Sequence, residues 1–205
     1  MVSRNHSLDV LKFVCAFLVV VIHTSCCVWH DAVLPITRCA VPCFFMISGY
    51  CLWSEEGINR DRLVKSMKRI IYILFWSTMV FAFAKECTSL KHGGFYIPTV
   101  NQCVDFLIYN TNPFGFHLWY LGAYLYVLIV MLFVQKFNLW RYIFLLTPIL
   151  ILLSVSDLFG WPYKHIRFVF VGIPYFTLGT IIKRYMPKLQ AVTGGGTHTL
   201  QLYLR

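Results

Sequence analysis

Apolar residues in this chain come in blocks of about 16 to 22 residues, and the basic residues collect between the blocks. That pattern constrains the fold more than any other feature. A block of this length is long enough to cross a bilayer, and in hydrocarbon every backbone N–H and C=O must be satisfied inside the segment, which selects helix. Six blocks are legible, at 8–29, 38–54, 70–85, 116–135, 140–157 and 166–183. They predict an all-α, polytopic transmembrane helical bundle of about six spans in one domain, 1–185, followed by an irregular tail, 186–205. Composition agrees: 59% of residues are hydrophobic and only 13% charged, where a soluble domain carries more charge.

The formal net charge of +10 raises nucleic acid as a partner. The placement of the charges excludes it, because topology explains where they fall. Arg60, Arg62, Lys65, Lys68 and Arg69 lie in the 55–69 connection, Lys136 and Arg141 in the next, and Lys183, Arg184 and Lys188 after the sixth block. Together with Arg4 and the Lys12 end of the first block these fall on one side, against Arg38, Lys85, Lys91, Lys164 and Arg167 on the other. The positive-inside rule then puts the N-terminus in the cytoplasm. Met1 to His6 lacks the features of a cleavable signal. The connection from Glu86 to Gly115 faces outward, and within it "VNQCVDFLIYN" places Val100, Val104, Leu107 and Ile108 on one face of a short interfacial helix. The eight cysteines show no metal-ligand spacing; they read as packing residues, or as an outer disulfide between Cys87 and Cys103.

The first block, "SLDVLKFVCAFLVVVIHTS", carries Asp9, Lys12 and His23. Lys12 and His23 are 11 residues apart, about three helical turns and roughly 16 Å, so they share a stripe, and Asp9 falls near it. Ionisable groups within a span face the protein interior or a water-filled cavity. Each group alone has a plainer reading: Lys12 snorkelling to the interface, His23 an interfacial histidine, Asp9 a first-turn charge favourable to the helix dipole. Together they place a cation at the inner end, suited to an anionic donor, and an imidazole at the outer end, suited to taking a proton from a hydroxyl. In the second block, Ser48 and Gly49 permit close helix approach or line a narrow passage. Arg38 at its outer start pairs with Asp31 or neutralises an anion. Trp119 and Tyr120 read as interfacial anchors, and His117 beside them as part of a polar rim. Gly172, Pro174 and Gly179 mark a kinked, closely packed sixth helix.

These residues resemble the acyltransferase-3 family of integral membrane acyltransferases. "LDVLKFVCAFLVVVIH" is similar to its first-helix signature, "FFMISGYCL" to its second-helix signature and "HLWYLGAYLYV" to its aromatic motif, with a looser likeness in "FVGIPYFTLGTIIKRY". The resemblance implies a membrane-embedded enzyme of a bacterial cytoplasmic membrane. It would move an acyl group, commonly acetyl, from cytoplasmic acyl-CoA to a hydroxyl of a cell-surface or exported glycan or a similar acceptor. It implies that His23 is the catalytic histidine and that Lys12 fills a basic position often held by Arg; Lys keeps the charge without the planar fork. Asp9 would position Lys12. Lys12, Lys68 and Arg69 would hold the donor phosphates, with no metal. Arg38, Ser48, His117, Trp119 and Tyr120 would bind substrate, with Arg38, Ser48 or His117 donating to the developing oxyanion. Cys15, Cys26 or Cys27 as an acyl-carrying nucleophile is a weaker route, since each thiolate would need an activating cation. Family members have more spans than the six read here, so the chain reads as a shortened member. A transporter-like domain is an alternative, but it predicts two repeated halves and none is found. A non-catalytic remnant of an acyltransferase is the other.

Overall fold

The computed structural model describes residues 6–23, 35–54, 57–91, 93–157 and 168–186. Expectations for Arg4, Cys26, Cys27, Asp31, Lys164, Arg167, Lys188 and nearly all of the tail lie outside these residues. In chain order the elements are α1 (His6–His23), a helical turn over 35–38 leading into α2 (Ala40–Leu52), a two-strand hairpin of β1 (Trp53–Ser54) and β2 (Gly57–Ile58), α3 (Arg60–Lys91), α4 (Val100–Tyr109), α5 (Trp119–Lys136) and α6 (Trp140–Asp157). A π-helical turn, Phe168–Gly172, then runs into a helix over 173–186; together these form α7.

The all-α transmembrane bundle is as the apolar blocks predict. His6–His23, Pro35–Leu52, Arg60–Lys91 and Trp119–Lys136 are the four helices among the described residues long and apolar enough to cross a membrane; the apolar stretch Trp140–Val155 of α6 is shorter, and α7 follows it in the chain. Their outward faces carry large apolar side chains, with Phe13 and Phe83 both 73% exposed. Such surface belongs in hydrocarbon, not water. Two boundaries need correction. The third span, read as 70–85, is the middle of a 32-residue helix. Asn59 caps it, its Oδ1 accepting from the Arg62 backbone N–H at 3.0 Å. The basic stretch Arg60 to Arg69 therefore forms its first turns rather than a loop. Hydropathy marks only the stretch inside hydrocarbon, whereas Lys, Arg and Met propagate helix well beyond it. Residues 53–54, read as the end of the second span, belong to the hairpin.

The core is filled by Phe45 of α2, Leu63 of α3, Val127, Leu128 and Met131 of α5 and Phe176 of α7, all fully buried. α2 and α7 cross at two glycines. A Cβ on Gly49 would land on the Phe176 carbonyl oxygen, and one on Gly179 on the Met46 carbonyl oxygen. Backbones this close require small residues at the contact. α6 and α7 are joined by a buried Thr147–Thr177 hydroxyl pair at 2.8 Å.

The two ends of the bundle differ in chemistry. At one, Lys183 lies 4.7 Å from the Tyr50 ring centre, Arg184 lies 5.6 Å from that of Phe144, and Trp53 meets Trp140 edge-on at 4.9 Å. At the other lie His23, the end of α3 and α4. A Thr99–Gln102 capping box starts α4 and Asn110, at φ 59°, ends it. The Tyr126 hydroxyl donates to the Leu107 carbonyl and fixes α4 to α5. Val100, Val104, Leu107 and Ile108 are all exposed, as the interfacial reading requires. Cys87 and Cys103 are free, exposed thiols, so the structure contains no disulfide between them.

Candidate active site

The side chains of α1 sort by helical position. Leu8, Asp9, Lys12, Cys15, Val19 and Ile22 recur at three- and four-residue spacing and are partly or fully shielded, whereas Val10, Phe13, Phe17 and Val20 are exposed. α1 packs against α2, and Cys15 touches Cys43 there. Asp9 and Lys12 therefore lie on the protein-facing side and Phe13 and Phe17 on the lipid side, while His23, at the last position of α1, is exposed. Lys12 Nζ lies 3.3 Å from Asp9 Oδ1, with the side chains 44% and 33% exposed. Lys183 sits over the Tyr50 ring, seven residues on from the Cys43 that touches Cys15.

At the opposite end of the stripe the His23 ring meets the His117 ring, centroids 5.7 Å apart and inclined at 65°. His117 stands on the Phe116–Leu118 turn that precedes the α5 span, and its other face packs edge-on to Phe81 of α3 at 4.3 Å. Although His117 is exposed, partial desolvation lowers its pKa from the ordinary histidine value of 6.5, and the nearby His23 lowers it further.

Between the two ends runs an aromatic wall. Tyr120 stacks parallel on Tyr124, 6.0 Å and 4°, and stands edge-on to Phe45 at 5.1 Å. Trp119 is perpendicular to Tyr120 at 6.5 Å. The Tyr124 and Ser66 hydroxyls lie 3.4 Å apart, linking α5 to α3. Ser48 donates its hydroxyl proton to the Phe44 carbonyl at 2.8 Å, which commits that proton to its own helix. Arg38 is exposed on the turn before α2. Lys68 and Arg69 are exposed on α3, off the face that Leu63, Ser66, Met67 and Ile70 turn inward. Among the described residues no three His, Cys, Asp or Glu side chains gather as metal ligands.

Asp9, Lys12, His23, His117, Trp119 and Tyr120 thus border α1 and the start of α5, while Arg38, Lys68 and Arg69 stand on exposed faces. The sequence reading missed Phe81, Tyr124 and the Tyr50–Lys183 contact. Tyr124, four residues after Tyr120 on one helical face, was findable; the other two depend on which helices become neighbours.

The acyltransferase domain of the acyltransferase-3 family matches residues 5–200 of this chain. A serine/alanine racemase of Enterococcus gallinarum is 30% identical over 133 residues, a match that covers 58% of this chain and 18% of that protein. The chain therefore matches less than a fifth of that relative's length. No solved structure matches the chain.

Proposed function

The chain belongs to the acyltransferase-3 family, and from that premise we propose that it transfers an acyl group, acetyl first among them, from acyl-CoA to a hydroxyl of an exported glycan or similar acceptor. The observation that carries this reading is one stripe of α1, with the partly shielded Asp9–Lys12 pair at one end and the exposed His23–His117 ring contact at the other. Lys12, oriented by Asp9, meets the anionic donor, and Lys183 beside the Tyr50 ring adds a second cation and a stacking face at the same end. The thioester arm then runs along α1 past Cys15 and the Tyr120–Tyr124 stack.

At His23 the unprotonated ring nitrogen takes the proton of the acceptor hydroxyl as its oxygen bonds to the thioester carbonyl carbon. The tetrahedral intermediate collapses with cleavage of the C–S bond. The imidazolium returns the proton to the departing CoA thiolate, giving ester and free CoA. General-base assistance of this kind is worth about 10²–10⁴ in rate. Membrane vesicles carrying the chain, supplied with [¹⁴C]acetyl-CoA at the Lys12 side, should incorporate label into glycan hydroxyls as alkali-labile ester. Vesicles that bind acetyl-CoA yet form no ester under these conditions contradict the reading.

A further inference from the structure

We propose that Asn112, seated on Thr78 of α3, is a positioning residue that sets His117 against His23, an assignment that rests on the acyl-transfer reading for its effect on rate and on geometry alone for its effect on the rings. His23 is exposed at the last position of α1, and helix ends fray. The ring it meets, His117, therefore bears on where its imidazole points. His117 is itself exposed and stands on one 3₁₀ turn, Phe116–Leu118, an element with poorer hydrogen-bond geometry than an α-helix. What holds that turn in place lies outside it.

One face of α3 does so. Thr78, Phe81 and Lys85, spaced i, i+3 and i+7, lie on the same side of the helix. They are partly shielded, whereas Met79, Val80 and Phe83 beside them are exposed. Thr78 Oγ1 accepts from Asn112 Nδ2 at 2.9 Å, Phe81 packs on the His117 ring at 4.3 Å, and Lys85 Nζ donates to the Pro113 carbonyl at 2.9 Å. The segment that enters the turn is thus fastened to α3 about one helical turn before Phe81 and one after it.

Asn112 is the centre of this fastening. It is 3% exposed, and both ends of its amide are engaged. Oδ1 accepts from the Phe114 backbone N–H at 2.9 Å while Nδ2 donates to Thr78. The Phe114 N–H needs an acceptor, so it decides which way the amide faces and leaves the Thr78 hydroxyl to accept from Nδ2. On the α5 side Asn110, 4% exposed, lodges against Gly122, where a Cβ would come within 2.8 Å of the Asn110 Oδ1. Gly115 leaves room for the rings: a Cβ there would lie 3.3 Å from Phe81 and 3.4 Å from His117. The Leu118 N–H then closes the turn on the Gly115 carbonyl at 3.0 Å. Buried side-chain hydrogen bonds of this kind rigidify the backbone they join. Asn112 and Thr78 act through that backbone: it carries His117, and His117 borders the base. Misplacing a catalytic group by about 1 Å can cost about 10² in rate.

Two substitutions and a control test this in the full chain, in detergent micelles for NMR and in vesicles for kinetics with acetyl-CoA. Asn112→Ala removes both hydrogen bonds, Thr78→Val removes the hydroxyl at nearly constant shape, and Thr78→Ser keeps the hydroxyl. With isotope-labelled histidines the unaltered chain should show a nuclear Overhauser effect between the His23 and His117 ring protons. That signal should weaken or vanish in Asn112→Ala and Thr78→Val and return in Thr78→Ser. In the first two kcat should fall roughly 10- to 100-fold with the KM for acetyl-CoA unchanged, since the donor meets Lys12 at the other end; Thr78→Ser should recover it. Where Asn112→Ala does not fold, the two Thr78 variants decide. No such signal in the unaltered chain, a signal undiminished in Thr78→Val, or a loss of kcat shared equally by Thr78→Ser overturns the assignment. A signal lost in Thr78→Val and kept in Thr78→Ser, in a protein that forms no ester from acetyl-CoA, supports the positioning and sinks the transferase reading instead.

Discussion

The 3.3 Å contact between Lys12 and Asp9 joins two side chains that remain a third or more exposed. Such a pair contributes at most about 1 kcal/mol to stability, and on the proposed function its role is to aim the ammonium. Asp9→Asn should leave thermal stability within about 1 kcal/mol and raise the KM for acyl-CoA, and Lys12→Ala should raise it further; steady-state kinetics in vesicles measures both. His117 makes a separate prediction. Its pKa is lowered, first by partial desolvation and second by His23, so in an NMR titration its midpoint lies below 6.5. In His23→Ala that midpoint should move up without reaching the ordinary value, since the larger cause remains. The linkage has a definite sign. As pH falls below 6.5, the unfolded chain binds a proton at His117 that the folded chain refuses, so stability drops with falling pH until the folded pKa is passed. Asp9, Lys12 and His23 could be placed on one stripe from sequence because helical periodicity alone fixes their azimuth. The His23–His117 contact could not, since it depends on how the end of α1 meets the turn before α5.

At the scale of elements, the α2–α7 crossing holds the bundle together around the site. Gly49 and Gly179 let the two backbones touch. Gly49→Ala forces a methyl group onto the Phe176 carbonyl and should destabilise the protein by about 1–3 kcal/mol, as overpacking does, seen as a lowered melting temperature in detergent. The sequence showed small residues at both positions but could not pair them. α3 teaches the complementary lesson. Its apolar middle was visible, yet its full extent was not, because the ends from Arg60 and to Lys91 leave the apolar block while remaining helical. Phe81, which meets His117, lies inside the block that was read; what escaped the reading there was its neighbour, not its helix.

At the scale of the molecule, the helices deliver basic side chains to one end and the histidine pair to the other. Native cysteines report on this arrangement: Cys51 is exposed at the end of α2, and Cys87 and Cys103 are exposed near the opposite end. With the basic end cytoplasmic, as the positive-inside rule requires, an impermeant maleimide applied to intact cells should label single-cysteine variants retaining Cys87 or Cys103. The variant retaining Cys51 should react only after permeabilisation; the reverse pattern would invert the proposed path of the acyl group. The most direct test of the whole account is ester formation from [¹⁴C]acetyl-CoA by vesicles carrying His23→Ala, matched to the unaltered chain in amount and melting temperature. The account predicts a rate lower by about 10² or more, and a rate within a few-fold of the unaltered chain contradicts it.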